Sequence, residues 1–367
     1  MTRTTPPFRA DHVGSLLRPV ELKEARARRE RGEISAGDLR RIEDAAIERI
    51  IARQAAIGLR SATDGEFRRA MWHFDFLEGL DGVESFRAAH GIAFQGGIET
   101  QPRGLRVTGR IGFSGHPMLD HFRFLRDHTQ ATPKMTIPSP SVLHFRGGRQ
   151  AISRDIYLDM EEFYIDLALA YRGAVQAFAD AGCRYLQLDE VNLAYLCDAD
   201  QRRNLVERGD DPERLPAIYA RMINTAIANR PADMVITMHL CRGNFRSSWI
   251  AQGGYEPVAE ILFNEIGVNG YFMEFDTERA GGFEPLRFVP KNKTVVLGLV
   301  TSKTGALEPA ADLQRRIHDA ARFVDLDQLC LSPQCGFSST EEGNLLSEGE
   351  QWAKLARIVE VAASVWS

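Results

Sequence analysis

Residues 235–244 read VITMHLCRGN and put a histidine and a cysteine two positions apart at the end of an apolar run. In an extended strand, residues i and i+2 share a face. His239 and Cys241 therefore project together with Thr237, while Ile236, Met238 and Leu240 face the other way. Other apolar runs end in the same fashion. SATDGEF carries Asp64 and Glu66 on one face, YLQLDE ends in Asp189 on the face of Gln187, GYFMEFD ends in Glu274 and Asp276, and LCLSPQC ends in Cys335. A lone carboxylate at a strand end commonly caps the next helix. Several of them beside a histidine and two cysteines suit metal chemistry instead. Zinc takes four ligands from thiolate, imidazole and carboxylate, and His239, Cys241, Glu274 and Cys335 would supply them. Thiolate ligands disfavour magnesium and calcium. Spacing alone leaves two readings open, a zinc site or four satisfied core residues. Cys330 lies five residues before Cys335, towards the opposite strand end, and Cys183 and Cys197 read as core or helix-face residues.

Positioning such groups needs strands whose ends converge. Short apolar runs begin near residues 8, 61, 134, 184, 234, 270, 294 and 329, with helical patterns between them. Strand–helix alternation implies a parallel sheet, and eight such units suit a (β/α)8 TIM barrel, whose active sites lie at the C-terminal strand ends. We expect one catalytic domain over residues 1–367, with a β-hairpin-like insertion near 84–130. Helices are expected from Asp38, as N-cap, to about residue 59, from 155 to about 181, and from 347 to 366. Neither G-x-G-x-x-G after the first strand nor G-x-x-x-x-G-K-[ST] occurs, which disfavours a nucleotide-binding doubly wound fold.

Composition narrows the class. With 44% hydrophobic and 26% charged residues the chain is ordinary globular material, and a net charge of −5 without a basic stripe argues against nucleic acid. No apolar run reaches the roughly 20 residues of a membrane span, and the first residues lack a signal-peptide core, so a cytoplasmic protein is expected. Five cysteines are too few and odd in number for a disulfide framework.

HLCRGN, FMEFD and SPQCGF, together with VGS, DGEF and LQLDE, occur in one order. In these motifs the chain resembles the C-terminal catalytic barrel of cobalamin-independent methionine synthase, and more closely its short single-barrel relatives, from about residue 8 to the last helix. The resemblance implies a (β/α)8 barrel in which zinc, held by His239, Cys241, Glu274 and Cys335, activates a thiol as thiolate. It implies that Gly14–Ser15 holds an amino acid's carboxylate and that Glu66 and Asp189 grip its α-amino group. Homocysteine is then the thiol, methyltetrahydrofolate a candidate methyl donor, and methionine the product. Two departures stand out. Methionine synthase proper is about twice as long, and its seventh strand ends in a histidine motif where this chain reads LGLVTSKTGALE. Lys303 is a candidate substitute there, with an exposed structural lysine as the plain alternative, and Asp276 a candidate partner for His239. Epoxyalkane:coenzyme M transferase is also similar, and its chemistry, a thiolate opening an epoxide, is the alternative; two carboxylates suit an ammonium better than a sulfonate. His12, Trp72, His73, Phe74 and Phe76 could border the site or pack the core.

Overall fold

The computed structural model describes residues 3–366. Among the described residues twelve strands, β1–β12, follow one another: Ser61–Ala62, Asp81–Arg87, Ala93–Phe94, Ile98–Glu99, Arg103–Gly112, Thr132–Pro133, Met135–Pro138, Tyr185–Glu190, Val235–Leu240, Gly270–Glu274, Thr294–Val300 and Leu329–Pro333. Strands β7 to β12 form one all-parallel sheet in the order β12-β11-β10-β9-β8-β7. Nearly every residue of these six strands is buried. That explains their continuous apolar runs, because a parallel sheet is covered on both faces. The protein is thus an α/β fold around a parallel sheet.

The other two expected strands are very short. Ser61–Ala62 pairs in parallel with β6, which precedes β7 by one residue. Ala10 makes a single parallel bridge to Leu331 of β12. Local side chains account for the shortness. Asp11 accepts from the amides of Phe8 (3.1 Å) and His12 (2.8 Å), taking donors a ladder would use. Gln54 likewise bonds both backbone groups of Thr63, at 3.0 and 2.9 Å, and so stops β1 after Ala62. These two segments meet through Ser61 Oγ on Asp11 (3.0 Å), Thr63 Oγ1 on the Gly14 carbonyl (2.7 Å), and Leu16 N on the Gly65 carbonyl (3.1 Å).

Several boundaries differ from expectation. The helix expected from Asp38 runs Ala36–Ala56, with Ser35 as N-cap and Asp38 closing a capping box from the third position. The next runs Met160–Asp180 behind the N-cap Asp159, and the last Glu348–Val365 behind Ser347. A helix at Val20–Glu30, rich in charge, gave little apolar periodicity to detect. The insertion begins at Asp81, where β2 pairs antiparallel with β5, and carries the β3–β4 hairpin at its tip. Its last part is the helix Met118–His128 rather than strand. No helix among the described residues is long and apolar enough to cross a membrane.

One face of the sheet encloses a small cluster of Val13, Phe272, Val296 and Cys330. Lys134 is buried beside it, with Nζ 3.9 Å from the Phe272 ring centroid and donating to the His12 carbonyl at 2.6 Å. Cys183 is fully buried in the main core and Cys197 packs against it, as their sequence contexts suggest.

Candidate metal and thiol site

His239 is the fifth residue of β9, directly opposite Asp189 of β8 and Phe272 of β10. Cys241 follows the strand, and its amide bonds the Glu190 carbonyl at 3.0 Å. Glu274 ends β10, and Cys335 lies two residues past β12. One ligand atom from each of His239, Cys241, Glu274 and Cys335 falls within 4.8 Å of all the others, and all four side chains are buried. The two sulfurs are 3.5 Å apart, against about 3.8 Å for two thiolates on a tetrahedral zinc with 2.3 Å bonds. Neither ring nitrogen of His239 has a hydrogen-bond partner, although the residue is almost inaccessible. A buried imidazole without partners is costly unless something binds it. The donor set and its spacing fit a zinc ion.

Glu274 is held from behind. Its Oε1 accepts from the Arg242 amide at 2.9 Å, and its Oε2 meets Arg279 at 3.1 Å. Burial alone would raise its pKa, but Arg279 and Lys303 outweigh this and keep the carboxyl below its ordinary value. Asp276 pairs with the same Arg279, at 3.3 Å. No hydrogen bond joins Asp276 to His239; Asp276 reaches the site through Arg279 and Glu274 instead. Around the sulfurs, the hydrogen bond from Cys241 pushes the Cys335 thiol well below its usual range, with His239 adding to the effect.

Ser15, Glu66 and Asp189 line the same cavity as His239, Cys241 and Cys335, with about 590 Å³ of empty space. Gly14 stands just behind it. Its φ is +147°, and a Cβ there would lie 2.8 Å from Thr136 Cγ2 and 3.4 Å from Glu66 Oε1, so glycine is required. Gly336 has a similar task, because a Cβ there would overlap Ser15 Oγ. Glu66 itself has φ +60°, an uncommon conformation for a side chain of its size. Such strain, about 1–3 kcal/mol, tends to sit at functional positions. Glu66 Oε1 accepts from Thr136 at 2.9 Å and lies 3.7 Å from Arg69, while Oε2 is buried without a partner. Burial raises the pKa of Glu66. Burial also lifts Asp189 to about 7, with Glu66 adding repulsion, and the Gln187 side chain donates to Asp189 at 2.7 Å. Two poorly compensated carboxylates thus face one cavity.

Lys303 is neither exposed nor on the cavity wall. It is buried, and Nζ donates to the Gly243 carbonyl (3.2 Å), Asn244 Oδ1 (3.0 Å) and the Ser248 carbonyl (3.3 Å). Asn244 in turn donates to the Gly336 carbonyl at 2.7 Å. Lys303 and Asn244 therefore bracket the Cys241 loop against the Cys335 loop. The aromatic run after DGEF divides: Trp72 and His73 line the cavity, whereas Phe74 and Phe76 are core. His12 is buried off the cavity wall. Sequence reasoning missed Arg146, Tyr195 and the insertion tip, where Ile92 and Phe94 also line the cavity. None of these is a polar residue at a strand end, the signal that found the others.

The protein is thus a parallel α/β fold with a buried His–Cys–Glu–Cys cluster, able by its donor set to hold a metal ion, beside an acidic pocket. The model of the cobalamin-independent synthase catalytic domain matches residues 8–364, and the chain belongs to that family. It is 55% identical to the uncharacterized protein YxjH of Bacillus subtilis, over 98% of this chain and 95% of that one. A protein of Saccharolobus solfataricus named methionine synthase is 23% identical, over 95% and 92% of the two chains. The crystal structure of a putative vitamin-B12 independent methionine synthase from Listeria monocytogenes is 44% identical, with a TM-score of 0.80 and both chains covered in full.

Proposed function

We propose that this protein is a zinc-dependent methyltransferase that methylates homocysteine to methionine, working as one (β/α)8 barrel domain. The observation that carries the reading is the single cavity joining four clustered donor atoms to Ser15, Glu66 and Asp189. The barrel is supported by the Ala10–Leu331 bridge at one sheet edge and the β1–β6 pair at the other. The relative named methionine synthase, aligned over 92% of its own length, supports that activity for a chain of this size.

In this reading His239, Cys241, Glu274 and Cys335 hold the metal. Zinc supplies the acidity that makes a bound thiol a thiolate at neutral pH, where a free alkyl thiol is mostly protonated. The remaining work belongs to the chain. Glu66 and Asp189 take the α-ammonium, which offsets the cost of their burial. Ser15 takes the α-carboxylate. This fixes the thiol at the sulfur end of the cavity, so that transfer becomes a reaction between held partners. Arg279 and the Arg242 amide keep Glu274 charged and aimed.

The test is metal content followed by turnover. Purified protein should carry close to one zinc per chain and form methionine from homocysteine and a methyl donor. Less than about 0.3 zinc per chain after gentle purification counts against the site, since two thiolates hold zinc tightly. Zinc-loaded protein that binds homocysteine no better than ethanethiol refutes the amino-acid pocket.

A further inference from the structure

Arg18, three residues past Ser15, is buried behind the cavity wall and donates in two directions. Its Nη2 reaches the Glu66 carbonyl at 2.8 Å and the Arg69 carbonyl at 2.9 Å. Its Nη1 reaches the Ser338 carbonyl at 2.5 Å, Ser338 Oγ at 2.7 Å and the Thr340 carbonyl at 3.3 Å. One planar fork thus spans the loop that carries Glu66 and the loop that follows Cys335. A guanidinium suits this task because its donors point in fixed directions.

What the fork holds lies next to the site's working groups. Glu66 has φ +60°, a conformation that persists only where the surroundings fix it. Its amide is fixed by Asp64 Oδ1 at 2.9 Å, and its carbonyl by Arg18 and by the Arg69 amide at 3.0 Å. On the other side Ser338 stands three residues past Cys335, and its hydroxyl donates onward to the Thr340 carbonyl at 2.8 Å. Ser15 meets the same loop, its carbonyl accepting from the Phe337 amide at 3.0 Å and its Oγ from the Ser338 amide at 3.3 Å. Other links between the two loops start farther from Glu66. The Ala70 carbonyl accepts from the Glu341 amide at 2.9 Å, and the Ser339 carbonyl from the Trp72 amide at 2.9 Å. Arg26 joins the Arg69 carbonyl (3.1 Å) to the half-exposed Glu341 (3.3 Å). Arg18 is the link that reaches Glu66 and Ser338 themselves.

We propose that Arg18 is a positioning residue that couples the amino-acid pocket to the metal loop: an ammonium gripped at Glu66 and a metal held by Cys335 each favour the other, because both need the two loops that one guanidinium ties together. The coupling rests on the reading of Glu66 as a partner of the α-ammonium and adds to it an energetic link to the metal. It is separate from sulfur ligation, since it needs no contact between ligand and metal. Such a link is reciprocal, so either ligand reports it.

The test uses L-2-aminobutyrate, the homocysteine skeleton cut one atom short of its sulfur. Calorimetry measures its binding to the full-length protein, zinc-loaded and zinc-free, with thiols kept reduced and folding checked by near-UV circular dichroism. Wild type should bind it at least about fivefold tighter with zinc, the lower end of ordinary couplings. Arg18→Lys, whose single ammonium cannot span both loops, should bring the factor below about twofold. Ser338→Ala, which removes one acceptor on the Cys335 side, should lower it part of the way. A residue that only stabilised the fold would weaken binding in both forms and leave the factor unchanged. Equal binding with and without zinc in wild type overturns the coupling and leaves the amino-acid pocket standing. A factor that survives in folded Arg18→Lys assigns the effect to the charge of the metal centre acting through space, and overturns it as well. If Arg18→Lys does not fold, Ser338→Ala decides, and an unchanged factor there is the refutation. Zinc-free protein that has lost its fold places the metal's influence in the whole structure rather than in Arg18, and the coupling falls. A folded wild type that binds no aminobutyrate in either form overturns the amino-acid pocket, and the coupling with it.

Discussion

Lys303 separates two accounts of the segment that follows β11, and Lys303→Met tests them. If the ammonium relayed protons, its loss would reduce turnover, reshape the pH–rate profile and leave folding alone. The structure argues for a bracket. Two acceptors, the Gly243 carbonyl and Asn244 Oδ1, would lose their donor in a place water does not reach freely, while the Ser248 carbonyl keeps the Phe245 amide at 3.2 Å. Each buried acceptor left unsatisfied costs about 1–3 kcal/mol. Loop relaxation and the packing of the methionine offset part of this, leaving about 3 kcal/mol. Unfolding entropy near 2.1 cal/mol/K per residue gives about 0.8 kcal/mol/K for this length, so Tm should fall by about 4 °C. The bracket links the Cys241 and Cys335 loops through Asn244 and Gly336. Zinc affinity should therefore drop about 10–100-fold, the usual effect of losing a group that orients ligands. Calorimetry and competition with a chromophoric chelator measure both quantities. With saturating zinc the variant should regain most of its turnover with an unaltered pH profile. An unchanged Tm and zinc affinity, together with turnover lost at every zinc concentration, would refute the bracket and favour proton relay.

Other outcomes follow from the same geometry. Cys335→Ser and Cys241→Ser should each lower zinc below about 0.3 per chain by emission spectroscopy, because each removes one of the two thiolates; full occupancy in either would exclude that sulfur as a ligand. Combining Glu66→Gln with Asp189→Asn should weaken homocysteine binding at least about 100-fold by calorimetry, since a buried ammonium left unpaired costs about 2–5 kcal/mol; a change below threefold would move the amino group elsewhere. Burial lowers the pKa of His144 to about 4, below its unfolded value of 6.5. The unfolded chain therefore takes up a proton first as pH falls, and stability drops through the window from 6.5 to 4. For His144 alone the loss should be on the order of 2 kcal/mol by pH 5. Urea unfolding at pH 7 and 5 should show a smaller loss for His144→Gln, and equal losses in both proteins would discard this assignment.

How much could be read in advance depended on where a residue stands in the fold. His239, Glu274 and Cys335 stood out because strand alternation and the C-terminal end of a parallel sheet are both written in local sequence. The same pattern points to Asp276, but alternation gives a face and not a partner, and Arg279, three residues on, claims it. Lys303 was visible as a polar residue past β11, yet its burial comes from residues 243–248, some 60 positions away. The first two strands were found although they shrink to a bridge and a pair. Apolar character marks where a segment lies, while Asp11 and Gln54 decide which amides its ladder keeps. Arg146, Tyr195 and Phe94 carried no such signal. Their place on the cavity wall depends on how a helix and an insertion fold over strand ends.

That difference in legibility follows a division of labour within the site. The groups assigned to metal and amino acid sit on or just beyond buried parallel strands. Those strands are cross-braced by Arg279, Asn244 and the close approach of Gly336 to Ser15. Elements of this kind hold geometry to fractions of an ångström, as a nucleophile requires. The opposite wall comes from an insertion tip that reaches the loop after Cys241 through two hydrogen bonds and one aromatic contact. Loops of that kind accept changes of sequence that strands do not. Under the proposed function, a scaffold arranged this way can keep one way of activating a thiol and change the carbon it attacks by altering the hairpin and the other loop residues that wall the cavity. Exchanging residues 91–100 between this chain and a relative with a different donor should then move donor preference and leave zinc content and homocysteine affinity as they were. Loss of zinc in the exchanged protein would show that the hairpin supports the metal, and that the two halves are not separable.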